Sequence, residues 1–250
     1  MTQPIIVIPA RLASTRLANK PLADIHGKPM IVRVLEQAQK TALGPVIVAC
    51  CGAGIAEIVR QAGGIAIETD PELPSGSDRI VAALRQFDPQ ANYDVVINLQ
   101  GDLPTIDPTL IRASLAPLQD SKVDIATLCC RIEDLAEIHN PNVVKIALSE
   151  WQSKHGADIS RAVYFSRLPV PANASTYYHH IGLYTYRRSS LETFVALPPS
   201  YLERTEKLEQ LRALESGMHI EVVLVEAMPQ SVDTPEDLAK VCQSFKANKE

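Results

Sequence analysis

The chain has 250 residues, of which 46% are hydrophobic and 21% are charged, and its mean hydropathy is +0.01. These values are typical of a globular α/β protein and exclude a disordered chain, a collagen-like repeat and a small disulfide scaffold. The formal net charge of −5 argues against a general polyanion-binding surface, so we expect no nucleic-acid partner.

The N-terminal region has neither a membrane-spanning run nor an export signal. The apolar run that begins at Ile5 stops at Pro9, and Arg11 follows where a signal peptide would continue. The five cysteines form two adjacent pairs and one lone residue without a CxxC spacing, which favours reduced thiols. We therefore predict a cytoplasmic protein that is not attached to a membrane.

Short apolar strands alternate with amphipathic helices in the first half of the chain. Strands are predicted at 5–8, 46–49, 65–67 and 95–97, and helices at 30–42, 55–61, 75–87 and 108–116. The alternation predicts an α/β fold with a doubly wound, mostly parallel, Rossmann-like sheet and helices on both faces.

The pattern changes at about residue 124. Strands are predicted at 125–130, 143–148, 162–165, 181–186 and 220–225, a long helix at about 202–216, and a terminal helix after 231–236. We predict a single domain over 1–250, with a mixed α+β insertion at about 124–200 that forms a lid or a dimer surface.

A long basic loop follows the first strand. It runs from Pro9 to about Pro29, whereas loops at this position of an α/β unit usually have about 2–6 residues. Its cations Arg11, Arg16 and Lys20 are donors that suit phosphate groups, although a solvated basic face is an alternative. The loop is neither a dinucleotide-binding glycine motif nor a P-loop.

Two acidic segments are candidates for the same end of the sheet. Asp102 follows the fourth strand, after Gly101, for which we expect an unusual backbone angle. Asp233 precedes the terminal helix, where it either caps that helix or serves as a second metal ligand. A carboxylate beside a phosphate loop is consistent with Mg²⁺ between the two.

Together these motifs resemble the sugar-nucleotide cytidylyltransferases of the nucleotidyltransferase superfamily. The sequences PARLASTRLANKPL, LQGDLP and VDTPEDL occur in the order and spacing of that family. HIGLY and LEQLR add a specific similarity to the cytidylyltransferases that act on 3-deoxy-manno-octulosonate (Kdo). The resemblance covers nearly the whole chain and implies the nucleotide-diphospho-sugar transferase type of fold.

The resemblance implies a reaction of CTP with Kdo that gives CMP-Kdo and pyrophosphate, for lipopolysaccharide biosynthesis. It implies Mg²⁺ as cofactor, in-line attack of the anomeric hydroxyl on the α-phosphate, a homodimer, and an insertion that supplies the sugar pocket. Three alternatives remain open: a synthetase for a sialic-type acid or an amino-Kdo, an enzyme for a sugar or polyol phosphate, and a non-catalytic nucleotide-binding regulator.

The resemblance also implies roles for individual residues. Asp102 and Asp233 would bind the metal and, with Arg16 and Lys20, form the catalytic set. The predicted CTP-binding residues are Pro9, Ala10, Arg11, Ser14, Arg16, Lys20, Ser75, Arg79 and Gln100, with Arg79 also lining the sugar pocket. The predicted Kdo-binding residues are Arg167, His180, Tyr184, Glu209 and Gln210.

The chain departs from the family pattern at four places. Ala18–Asn19 stands where the family usually has Pro-Gly, Cys50–Cys51 where it has Thr-Asp, Asp78 where it has Glu, and Leu103 where it has Glu. None of these changes removes a predicted metal ligand or phosphate cation. We expect them to affect selectivity rather than the class of reaction.

Overall fold

The computed structural model describes residues 2–12 and 17–247, and the side chains up to residue 245. The chain forms two compact units: the first contains the chain up to Ile111 together with the chain from Pro229 onward, and the second is Arg112–Met228. The predicted arrangement of a single domain with an insertion at about 124–200 stays a prediction.

The first unit contains a parallel sheet flanked by helices. Its elements are β1 (Pro4–Arg11), β2 (Asp24–Ile25), β3 (Lys28–Pro29), α1 (Met30–Gln39), β4 (Val46–Cys51), α2 (Ala53–Gln61), β5 (Ile65–Glu68), α3 (Gly76–Phe87), β6 (Val95–Asn98), the start of α4 (Pro108–Ala113), and α9 (Pro235–Ala247). The strand order is β5-β4-β1-β6, and each of these pairings is parallel.

This strand order places a binding crevice between β1 and β6. The chain winds from β1 through β4 to β5 on one side, and then returns to add β6 on the other side of β1. Ligands bind at such a switch point, beyond the carboxyl ends of the strands. The strands are held there by a core in which Ile5, Ile6, Val7 and Ile8 are fully buried. The predicted doubly wound fold is confirmed.

The second unit is built on a mixed sheet. Its elements are β7 (Ile125–Arg131), α5 (Leu135–Ile138), β8 (Lys145–Leu148), β9 (Gln152–Lys154), β10 (Ala157–Ser166), β11 (Tyr178–Arg187), α6 (Arg188–Ala196), α7 (Tyr201–Glu206), α8 (Gln210–Glu215) and β12 (Ile220–Leu224). β7 pairs parallel with β12 and antiparallel with β11, and β10 pairs antiparallel with β8, β9 and β12.

The prediction of one long helix at 202–216 was wrong, because the structure contains two short helices there, α7 and α8. Lys207 adopts left-handed backbone angles (φ 56°, ψ 45°), which end α7. α7 itself begins with a capping box in which Ser200 and Glu203 exchange hydrogen bonds. The apolar spacing of the leucines continues across the break, so periodicity alone predicts one helix.

The sequence analysis also missed local structure in the basic loop. β1 extends to Arg11, a 3₁₀ turn covers Lys20–Leu22, and β2 and β3 form a two-residue hairpin pairing. These pieces are too short to show a hydrophobic period. Among the described residues, no helix has both the length and the apolar character required to cross a bilayer.

The close approach of the turn at Gly44 to the start of β1 gives a test of this packing. A Cβ at Gly44 would lie 2.1 Å from the carbonyl oxygen of Pro4. We expect Gly44→Ala to lower the free energy of unfolding by about 1–3 kcal/mol, because the backbone must move to relieve the clash. Urea denaturation measures this change.

Gly54 provides the matched control, since it lies in α2 and a Cβ there would meet nothing within 4 Å. Gly54→Ala should leave stability unchanged or raise it by up to about 1 kcal/mol. Equal losses in the two variants would contradict the described packing of Gly44.

Candidate active site

A cleft of about 410 Å³ lies in the first unit, at the crevice beside β1. The described residues that were predicted to bind CTP or metal in this unit all line it: Pro9, Ala10, Arg11, Lys20, Ser75, Arg79, Gln100, Asp102 and Asp233. The fold thus gathers residues from four separate parts of the sequence. The predicted contacts of Ser14 and Arg16 lie outside the described residues.

Lys20 joins the two predicted metal acids. Its Nζ lies 2.7 Å from Oδ2 of Asp102 and 2.8 Å from Oδ1 of Asp233. Burial by itself would lower the pKa of Lys20, but the two carboxylates outweigh this effect and raise it. Lys20 therefore stays charged and offsets the repulsion between the two acids.

The main chain places Asp233 beside Asp102. The Val232 N–H donates to the Asp102 carbonyl at 2.9 Å, which ties together segments that are far apart in the sequence. Thr234 caps α9, because its Oγ1 accepts from the N–H of Asp237, whose carboxylate accepts from the backbone of Asp233 and Thr234. Of the two roles considered for Asp233, the cap is therefore excluded, and its side chain reaches Lys20 instead.

These acids have the chemistry that a divalent cation requires. Two carboxylate oxygens converge on one positively charged nitrogen, and hard oxygen ligands of this type suit Mg²⁺. Within residues 2–12 and 17–247 there is no cluster of three or more acidic, histidine or cysteine side chains that would hold a metal.

Asn19 explains how the loop turns without the usual glycine. It adopts left-handed backbone angles (φ 51°, ψ 33°) immediately before Lys20, and its carbonyl accepts from the N–H of Leu22. Asparagine is one of the few residues that tolerate this conformation. The departure from Pro-Gly at this point thus still gives a tight turn that presents Lys20 to the acids.

Gly101 is required for space and not for an unusual backbone angle. Its φ is not among the positive values of the chain, so that expectation was wrong. A Cβ at Gly101 would lie 3.1 Å from the carbonyl oxygen of Pro9 and 3.6 Å from Ile31. The absence of a side chain lets the loop after β6 lie against the end of β1.

The start of α3 forms another wall of the cleft. Ser75 caps the helix by accepting from the N–H of Asp78, and its hydroxyl donates to the Asp78 carboxylate at 2.7 Å. Arg79 is only 2% exposed, and it donates to Thr69 Oγ1 at 2.5 Å and to the Asp70 carbonyl at 3.1 Å. The change from Glu to Asp at position 78 therefore keeps a working cap.

Six further residues line the cleft and were not predicted to bind a ligand. The residues are small or apolar, and nothing in their type indicates a ligand: Pro21, Met30, Leu73, Pro74, Gly76 and Gly101. Their proximity to Pro9 and Lys20 depends on the tertiary fold. Gln100, which was predicted, has a polar neighbour: its side-chain amide donates to Asn98 Oδ1 at 2.9 Å.

In the second unit, Arg167 contacts mainly backbone atoms. Its guanidinium donates to the carbonyls of Pro141, Glu206 and Lys207. Within the described residues, these bonds engage three of the five N–H groups of its guanidinium. Arg167 ties together three segments, and its predicted role in Kdo binding stays a prediction.

His180 and Tyr184 lie together on β11. Their ring centroids are 5.4 Å apart, and Phe165 meets His180 edge-on at 4.9 Å. Burial raises the pKa of Tyr184 well above its usual value, and the nearby Tyr186 and Glu209 raise it further. Glu209 therefore belongs to the same cluster. Gln210 follows it at the start of α8 and is buried.

Two adjacent histidines on β11 predict an acid-dependent loss of stability. Burial lowers the pKa of His179 to about 4 and that of His180 to about 3. Below pH ~6.5 the unfolded chain takes up protons that the folded chain does not, so stability falls with pH by up to about 1.4 kcal/mol per pH unit for each histidine. Urea denaturation between pH 7 and pH 4 measures this slope.

His180→Gln should flatten the dependence, whatever its effect at neutral pH. His139→Gln is the matched control, because His139 is exposed after α5 and is expected to leave the slope unchanged. A wild-type stability that is independent of pH in this interval would contradict the buried, neutral state of the pair.

Comparison with known proteins shows the family to which the chain belongs. Residues 5–220 match the family model described as cytidylyltransferase. A 3-deoxy-manno-octulosonate cytidylyltransferase of Paramagnetospirillum magneticum is 54% identical over 244 residues, which cover 98% of both chains. One from Rhodospirillum rubrum is 55% identical over 240 residues, covering 95% of this chain and 93% of the relative.

Solved structures show the same similarity in three dimensions. A CMP:2-keto-3-deoxy-manno-octonic acid synthetase complexed with CTP has a TM-score of 0.89, 38% identity and full coverage of both chains. A 4-diphosphocytidyl-2C-methyl-D-erythritol synthase from Anaerococcus prevotii, at 11% identity and a TM-score of 0.65, shares the fold alone. The chain therefore belongs to the cytidylyltransferase family, within the group of the 3-deoxy-manno-octulosonate cytidylyltransferases.

Proposed function

We propose that this protein transfers CMP from CTP to the anomeric hydroxyl of Kdo and releases pyrophosphate. The observation that carries the proposal is the convergence of Lys20, Asp102 and Asp233 in a cleft lined by the predicted CTP-binding residues. Relatives that are 54–55% identical over nearly the whole chain carry the corresponding name, which supports Kdo as acceptor.

The cleft has the features that a nucleoside triphosphate requires. Arg11, Lys20 and Arg79 are cations along its wall, and phosphate groups bind well to such donors. The backbone at Pro9 and Ala10, together with the turn at 73–76, gives an uncharged wall for a planar base. We propose that Ser14 and Arg16 complete the phosphate contacts.

Asp102 and Asp233 are the residues that would hold Mg²⁺. A bound Mg²⁺ would supply charge neutralisation at the α-phosphate and would polarise it toward attack. We propose that the ammonium of Lys20, which contacts both acids in this structure, also contacts the phosphates of bound CTP. Arg16 and Lys20 would stabilise the negative charge that develops on the pyrophosphate.

For the acceptor, we propose the predicted set of residues in the second unit: Arg167, His180, Tyr184, Glu209 and Gln210. Its mixture of a cation, uncharged donors and acceptors, and one acid suits a polyhydroxylated acid sugar.

In the reaction the anomeric oxygen forms a bond to the α-phosphorus, the bond from that phosphorus to the β-phosphate oxygen breaks, and the hydroxyl proton leaves to solvent. The catalytic contribution is positioning and electrostatics, and no covalent enzyme intermediate is formed.

We propose a homodimer in the cytoplasm that serves lipopolysaccharide biosynthesis. Four large apolar side chains of the second unit, Leu135, Val163, Leu168 and Tyr201, are 75%, 59%, 68% and 68% exposed, which supports an additional contact surface there. Sedimentation equilibrium tests this assembly, and a monomer at micromolar concentration would contradict it.

Pyrophosphate release with Mg²⁺, CTP and Kdo tests the proposed function. Asp102→Asn and Asp233→Asn should each lower kcat by at least about a hundredfold, because the carboxylates that would hold the cation are lost. Asp158→Asn is the matched control, since Asp158 is exposed on β10 and should retain wild-type activity.

Parallel reactions with UTP, ATP and N-acetylneuraminate define the specificity. Release of pyrophosphate with N-acetylneuraminate but not with Kdo would show that the acceptor is a different acid sugar, while the proposed mechanism would stand. Binding of CTP without release from any pair would favour a nucleotide-binding regulator, and would contradict the proposal.

A further inference from the structure

We propose that Thr127 is a positioning residue that fixes His180 in the Nε2–H tautomer, so that Nδ1 accepts a hydrogen bond from a hydroxyl group of the acceptor sugar. This inference rests on the proposed function for the identity of the sugar. The tautomer itself is a property of the unliganded chain.

Thr127 is a buried hydroxyl in an otherwise apolar strand. It lies in the middle of β7, is 0% exposed, and is flanked by Ala126 and Leu128, which are also fully buried. A threonine here requires hydrogen-bond partners, because an unsatisfied buried hydroxyl costs free energy. The partners come from β11, the neighbouring antiparallel strand.

Three polar atoms of β11 surround the Thr127 hydroxyl. Its Oγ1 lies 2.8 Å from the Leu183 carbonyl oxygen, 3.1 Å from the Ile181 carbonyl oxygen and 3.0 Å from Nε2 of His180. The two carbonyls come near one side chain because the register of β11 against β7 shifts between Ile181 and Tyr184. The bulge thus creates this arrangement.

The single proton of the hydroxyl must point to a carbonyl. A carbonyl oxygen can only accept, and two oxygens 2.8 Å apart with no proton between them repel each other. The Thr127 proton therefore goes to Leu183 or Ile181, and Oγ1 is left as an acceptor for Nε2. A contact of 3.0 Å between two lone pairs would be unfavourable, so Nε2 carries the hydrogen.

His180 has one ring proton, and Thr127 holds it at Nε2. Burial keeps the ring neutral, with its pKa lowered to about 3. Nδ1 is then a bare acceptor. Among the described residues no hydrogen bond to Nδ1 is found, and His180 as a whole is 7% exposed.

Because Nδ1 of His180 is a neutral hydrogen-bond acceptor, it determines which group of the sugar binds to it. Nδ1 can accept from a hydroxyl but repels a carboxylate, which has no hydrogen to donate at neutral pH. The acidic group of the sugar must therefore bind elsewhere, and the guanidinium of Arg167 is suited to it. Thr127 acts through His180 and does not itself touch the substrate.

Nitrogen-15 NMR of the histidine rings tests the tautomer directly. The wild-type chain should show His180 with a protonated Nε2 and an unprotonated Nδ1, and the His180→Gln variant assigns the signal by its absence. A wild-type Nδ1 that carries the proton would overturn the inference, and this measurement needs no variant of Thr127.

Thr127→Val removes the hydroxyl and keeps the shape, while Thr127→Ser keeps the hydroxyl. We expect Thr127→Val to shift the His180 signals and to raise KM for Kdo about tenfold, with KM for CTP changed less than about twofold. Thr127→Ser should restore both the wild-type NMR signature and KM within about twofold. Stability and CTP affinity of both variants serve as controls for folding.

The outcomes separate the positioning role from a packing role. Equal effects of Thr127→Val and Thr127→Ser would assign Thr127 to packing and overturn the inference, as would a changed tautomer with an unchanged KM for Kdo. A wild-type chain with the expected tautomer but no turnover of Kdo would overturn the proposed function and the sugar contact, while the tautomer assignment would stand.

Discussion

The site depends on the placement of two carboxylates around one cation. Asp102 and Asp233 come from distant parts of the chain and would repel each other in a cleft without a positive charge between them. Lys20 supplies that charge, and the hydrogen bond from Val232 to the Asp102 carbonyl fixes the distance between the two segments. The rest of the first unit serves this arrangement: the switch point of the sheet directs the loops after β1 and β6 toward the same crevice.

The second unit buries both uncharged and charged polar side chains, among them Thr127, His180 and Lys145. Thr127 and His180 satisfy each other and the backbone carbonyls of a strand bulge, and the low pKa of His180 keeps it neutral. Lys145 is a fully buried charged residue of the same unit, and its ammonium donates to the carbonyls of Asn140, Val143 and Arg167. These three hydrogen bonds use all three N–H groups of the ammonium.

Much of the fold and of the cleft can be predicted from the sequence, but only those parts whose structure follows from the local sequence pattern. Buried β-branched runs such as the one at Ile5 reveal the parallel strands, and the motifs reveal Lys20 and Asp102. The break at Lys207 was not predictable, because it depends on one residue in left-handed angles while the leucine spacing continues. The bridge from Lys20 to both acids, and the proton on Nε2 of His180, follow from tertiary contacts that no local pattern encodes.

A double-mutant cycle on Lys20 tests whether its ammonium holds Asp102 and Asp233 together. The free energy of unfolding would be measured in EDTA for Lys20→Gln, Asp102→Asn and Asp233→Asn, singly and in the two pairs that include Lys20. We predict a favourable coupling energy of about 0.5–3 kcal/mol for each pair, because one ammonium contacts both carboxylates. Additive effects in both cycles would show that Lys20 does not hold the acids together.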